Sequence, residues 1–161
     1  MALGKAEEYE SDHIRIRGWG RVQLVNAKSG EIEADSGWHG NEITQTGYAS
    51  YLTALLGATT GSIQATVLAV GTQTDGPATT QTSISGEHGD RVTAARSVVA
   101  SQTMRMTAQW ATDEANVSVA AIGAYNTTSG GSIMNILTYA STLKTTDQQL
   151  NGTIDFAFAT S

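Results

Sequence analysis

Between residues 13 and 25 the chain reads HIRIRGWGRVQLV. Ile14, Ile16, Gly18, Gly20, Val22 and Leu24 fall on one side of a two-residue period, and Arg15, Arg17, Trp19, Arg21 and Gln23 on the other. Successive side chains of a strand point to opposite faces, so this alternation predicts a half-buried β-strand over 13–27. Glycine inside a strand weakens it, so Gly18 and Gly20 predict a bend or the close approach of another backbone or a large ring. The pattern also poses a functional question. Three of the chain's nine basic residues sit on one strand face around a tryptophan, and that face needs something to touch.

The rest of the sequence continues in strands. NAKSGE supplies turn chemistry with Gly30 free to take a positive φ, and a second strand near 31–38 completes a hairpin. One stretch breaks the pattern: in NEITQTGYASYLTALLG, Tyr48, Tyr51, Leu52, Leu55 and Leu56 recur at helical spacing. Thr44 or Thr46 can cap that helix and Gly57 suits its C-terminal end. IQATVLAVG then reads as a buried strand, and TQTDGPATTQTSISGEHGD as a long polar loop. Further strands are predicted at 91–100, 102–112, 116–125, 132–140 and 149–159. On the second of these Met104, Met106, Ala108 and Trp110 share a face. Val117, Val119, Ala121, Gly123 and Tyr125 share one on the next, and Leu150, Ile154, Phe156 and Phe158 are in phase on the last. The expected fold is mainly β (α+β with one helix): an antiparallel β-sandwich or barrel-like domain over 13–159, with its helix near 44–56.

Charged residues make up 15% of the chain, below the usual level of about 25%, and the formal net charge is −6. Thr, Ser, Ala and Gly take their place, which makes a polar surface that costs little to desolvate against a neighbour. The acidic balance argues against nucleic acid as a partner, because affinity there comes largely from neutralising phosphates. No run of 18 apolar residues occurs, so no membrane-spanning helix and no membrane partner are expected. MALGKAEEYESD has no apolar core of the kind a secretory signal needs. Residues 1–12 read either as a tail without fixed structure or as an acidic arm that orders against another subunit.

Catalytic chemistry is hard to place. His13, His39 and His88 lack metal-ligand spacing, and His88 sits near Glu87 and Asp90 in a glycine-rich loop. Asp113 and Glu114, in ATDEAN, read as a turn between strands. Neither a nucleophile elbow nor a phosphate loop is present. The expectation is a protein without catalytic residues, cofactor or metal. The arginine face then has two readings. It is a contact surface for another protein, or a solvated face neutralised within the hairpin by Glu31, Glu33 and Asp35. The candidate interface residues are Glu7, Glu8, Tyr9 and Glu10 of the arm, with Arg15, Arg17, Trp19 and Arg21. A sugar-binding surface is the alternative, with Trp19, Trp38 and Trp110 as stacking platforms. Against it, Trp110 shares its strand face with Met104 and Met106, a core pattern.

The order of motifs over roughly 40–159 resembles virion proteins of tailed bacteriophages. The motifs are LAVGTQTDGPATTQTSISGEHGDRV, ATDEANVSVAAIGAYN and SGGSIMNILTYASTLKTTDQQLNGTIDFAF. The matching positions are Ala69, Val70, Gly71, Glu87, Arg91, Glu114–Asn116, Ile122, Gly123 and Tyr125. Ala120–Ala121 depart from the Arg–Glu pair usual in that pattern. The family includes the N-terminal domain of tail-collar fibre proteins and small single-domain virion proteins. The resemblance implies a structural role in the virion. A head decoration (cement) protein is favoured, because a fibre would be expected to continue into a repetitive shaft. Its implied partners are the major capsid protein and further copies of this chain, as a homotrimer. A minor tail, fibre-attachment or receptor- or glycan-binding protein is the alternative.

Overall fold

The computed structural model describes residues 14–55 and 64–160. The first strand, β1 (Ile14–Asn26), is followed by β2 (Ile32–Asp35), β3 (His39–Gly40), β4 (Glu42–Ile43) and the helix α1 (Gln45–Leu55). Then come β5 (Val67–Gly71), β6 (Val92–Thr93), β7 (Ala95–Ala100) and β8 (Thr103–Trp110). The chain ends with β9 (Ser118–Tyr125), β10 (Ile133–Leu143) and β11 (Gln148–Thr160). Two antiparallel sheets pack together as a sandwich. The larger has the order β2-β1-β11-β8-β7, with β3 also paired to β1, and the smaller has β4-β10-β9-β5-β6.

The alternation of β1 places its apolar side inward as the sequence predicts. Val22 and Leu24 join Met106, Trp110, Leu150 and Ile154 of the larger sheet against Leu68, Val70, Ile122 and Leu137 of the smaller. Gly18 and Gly20 mark close approaches. A Cβ at Gly20 would run into the buried Leu137 side chain, and one at Gly18 into Asn41. In both cases the approaching group is an aliphatic or amide side chain, not the backbone or large ring that the sequence suggested.

The smaller sheet is covered on both sides. On its second face Val67, Ala69, Ala121, Tyr125, Ile133 and Ile136 form a separate apolar cluster with Ile84, which the loop after β5 lays over them. β5 is therefore buried at every position. Helix α1 has Thr44 as its cap: the Thr44 hydroxyl accepts the Gly47 amide (3.1 Å) and donates to the Ile133 carbonyl (2.6 Å). Gly47 lies on the Met134 carbonyl of β10, where any side chain would collide. Tyr51 packs edge-on against Phe156 of the other sheet, whereas Tyr48 stays exposed. Leu56 and the expected C-terminal glycine, Gly57, lie outside the described residues.

Three details differ from the sequence reading. The single strand expected at 91–100 is two, because the buried Ala94 turns the chain from the smaller sheet (β6 on β5) to the larger (β7 on β8). The face expected along 117–125 is split. Val119 points into the sandwich and Ala121 and Tyr125 away from it; the change of face falls where the β9–β10 register shifts, between the Thr138–Ala121 and Thr142–Val119 pairs. Met104 is 45% exposed and Phe158 37%. Burial fades toward that end of the sheet: in the row where Phe156 pairs with Met104, Phe156 is still buried and Met104 is not.

Candidate functional site

In antiparallel strands, directly paired residues share a face, so the register defines the outer surface of the larger sheet row by row. Trp19 lies opposite Asp155, Asp155 opposite Arg105, and Arg105 opposite Ser97. Two residues along, Arg21, Thr153, Thr107 and Ala95 form the next row. Gln23, Asn151 and Gln109 form the one after. Arg17 and Arg15 continue the surface the other way, opposite Ala157 and Ala159.

The three arginines of β1 have different fates. Arg21 is neutralised within the hairpin by a two-pronged pair with Asp35, its Nε donating to Oδ1 at 2.8 Å. Gln23 adds a bond to the same carboxylate (3.1 Å), and Gly37 N–H another (2.9 Å). Of the expected carboxylate partners only Asp35 pairs with an arginine. Glu33 accepts from Asn26 and Gln148 instead, and Glu31 from Ser29. Arg15 and Arg17 are exposed, and among the described residues no carboxylate pairs with either. Beside them the Trp19 ring is 37% exposed. The candidate arm residues Glu7, Glu8, Tyr9 and Glu10 lie outside the described residues.

Hydrogen bonding to Arg21 holds the Asp35 carboxyl well below its usual range, and bonds from Asn26 and Gln148 lower that of Glu33. A carboxyl whose folded pKa is depressed stabilises the fold above its unfolded value and loses that contribution as pH falls through the folded one. The β1–β2 hairpin is therefore expected to weaken below about pH 4. Carboxyl-carbon NMR titration should find Asp35 still ionised where a free aspartate is largely protonated. Arg21→Ala should return its midpoint toward about 3.9; an unchanged midpoint would show that the arginine is not the cause.

A second fixed pair lies on this sheet. Arg105 donates to both Asp155 oxygens at 2.7 Å, and the Trp38 ring sits 5.5 Å from its guanidinium. Trp38 is 46% exposed. Sequence reading named Trp38 but missed Arg105 and Asp155, because residues fifty positions apart come together only through the β8–β11 register. Trp110 is not a platform: it is fully buried, with its indole N–H on the Asp90 carbonyl (3.0 Å).

The other polar clusters singled out in the sequence are structural. Arg91 and Glu87 form a two-pronged pair at 2.7 and 3.1 Å, the guanidinium 3.5 Å above the Tyr125 ring. Asp113 and Glu114 lie in the turn after β8, where Glu114 accepts the Ala111 amide (2.7 Å). Beneath it the buried Lys144 ammonium donates to Asn116 (2.8 Å) and the Thr112 carbonyl (3.3 Å). Burial pushes its pKa down, and the charges of Glu114 and Asp113 oppose that shift. The His39 ring bonds the Ser36 carbonyl (2.7 Å), and His88 is exposed in its loop. Among the described residues no group of three or more His, Asp or Glu is placed to hold a metal ion. Comparison with protein-family models, with curated proteins and with solved structures finds no match to this chain.

Proposed function

We propose that this chain is a non-catalytic structural protein of a bacteriophage virion, most simply a decoration protein that sits on the capsid lattice and stabilises it. The observation that carries the reading is the Arg15–Arg17–Trp19 surface. Two arginines without a carboxylate among the described residues stand beside an exposed indole, in a chain of net charge −6. An exposed ion pair contributes only about 0.2–1 kcal/mol, so the arginines alone hold little. Buried together against a partner, arginine stems and a tryptophan ring are what the centres of protein interfaces use. The occupant is an acidic surface of the capsid subunit or the acidic segment 1–12 of a neighbouring copy in a homotrimer. Binding only the assembled lattice stabilises that lattice by mass action.

The test is pelleting of the purified chain with expanded empty capsids. We expect saturation at a simple ratio to the capsid subunits. The double substitution Arg15→Glu, Arg17→Glu should weaken binding by about tenfold or more, each reversed contact costing of order 1 kcal/mol, and circular dichroism should be unchanged. Saturation at a handful of copies per particle would assign the chain to the tail instead. A chain that ignores capsids overturns the reading.

A further inference from the structure

A different part of the same sheet carries a site. Beyond the Trp19–Asp155–Arg105 row, the outer face of the strands carries a groove of about 470 Å³ that is open to solvent. Its lining is uncharged and mixed: Gln23, Thr93, Thr107, Gln109, Asn151 and Thr153 alternate with Ala95, Ala108 and Gly152. Gln109 donates to Asn151 at 2.9 Å. Among the described residues that leaves the Gln109 carbonyl and the Asn151 amino group without a protein partner. The Arg105–Asp155 pair borders the groove one row away, two residues along each strand or about 7 Å, and the Trp38 ring lies 5.5 Å from the Arg105 guanidinium, beside the groove and outside its lining.

These features select a ligand chemistry. Arg105 uses Nε and Nη2 on Asp155, which fixes the guanidinium, cancels its charge and leaves Nη1 to donate. A phosphorylated or strongly charged ligand would find no uncompensated charge on the floor. A protein partner would find no large apolar side chain among the groove's own lining residues. A pyranose offers hydroxyls that each donate and accept, matching planar amides and threonine hydroxyls, and a flat C–H face that packs on an indole ring. We propose that this groove binds a neutral oligosaccharide long enough to reach Trp38 beside it, with the exposed part of that ring as the stacking platform and Gln109, Asn151 and Arg105 as hydrogen-bonding groups. The site is independent of the virion reading, since it uses neither Arg15 nor Arg17.

The experiment titrates the full chain with maltotriose, cellotriose, mannotriose and chitotriose, following tryptophan fluorescence and heat. A saturable response to at least one is expected. Trp38→Ala should weaken it by about tenfold or more, as loss of an aromatic anchor does. Gln109→Ala should weaken it less, by about threefold to tenfold, the range for one hydrogen bond. Arg15→Glu should leave it unchanged. Circular dichroism reports whether each variant is folded, and the exposure of Trp38 favours that. No saturable response to any of these sugars, or equal affinity in wild type and folded Trp38→Ala, overturns the proposal. So does binding that disappears with Arg15→Glu, which would place the ligand on the arginine surface.

Discussion

Replacing Arg91 with alanine is expected to cost about 3–5 kcal/mol of stability, the range for stripping one partner from a buried ion pair. The side chain is only 9% exposed. Besides its pair with Glu87 it donates to the Thr127 (3.1 Å) and Gly130 (2.6 Å) carbonyls. It thereby ties the loop after β5 to the turn between β9 and β10. The Tyr125 hydroxyl completes the lock, donating to Glu87 (2.9 Å) and accepting the Ile84 amide (2.9 Å). Without Arg91, a half-buried carboxylate keeps only the Tyr125 hydroxyl, two carbonyls lose a donor, and the clamp that seats Ile84 on the smaller sheet is weakened. Urea denaturation should show a lower midpoint with an unchanged slope. Arg91→Lys should recover only part of the loss, because one ammonium cannot span a carboxylate and two carbonyls as the planar guanidinium does. A midpoint shift of under about 1 kcal/mol for the alanine variant would mean that the loop is held by its apolar contacts alone.

Trp110→Ala should be comparably destabilising, by about 3–5 kcal/mol, while Trp38→Ala should change stability by less than about 0.5 kcal/mol. The contrast follows from burial. Trp110 is fully enclosed between the sheets and packs against Gly152, where its ring occupies the space a side chain would fill. Trp38 stands at the surface over Arg105. Thermal unfolding of the two variants measures the difference directly. Equal shifts would contradict the placement of these rings, and with it the separation of a structural tryptophan from one available to a ligand.

Much of the architecture was legible in local pattern. The two-residue period of β1, the helical spacing from Tyr48 to Leu55 and the turn at Gly30, whose φ is 73°, each follow from the geometry of a few neighbouring residues. So does the close approach at Gly20, because a glycine where a strand calls for bulk leaves room that something must fill. What failed was of longer range. The corner at Ala94 looks like ordinary strand because its neighbours on both sides are strand. Met104 has the right phase for the core, but phase says which way a side chain points and not whether the opposite sheet extends far enough to cover it.

The candidate surface divides the same way. Alternation put Arg15, Arg17, Trp19 and Arg21 on one face. Which of them is neutralised depended on the hairpin register, which brings Asp35 to Arg21 and leaves Glu31 and Glu33 to other partners. Nothing local links Trp38 to Arg105, or Gln109 to Asn151, since each pair meets only where strands distant in the chain are laid side by side. The sequence by itself determined a β-rich chain with an arginine–tryptophan face, because side-chain direction is a property of consecutive residues. Tertiary structure alone decided which charges are paired, how far burial extends along a strand face and where a groove opens, because those depend on what the rest of the fold brings into contact.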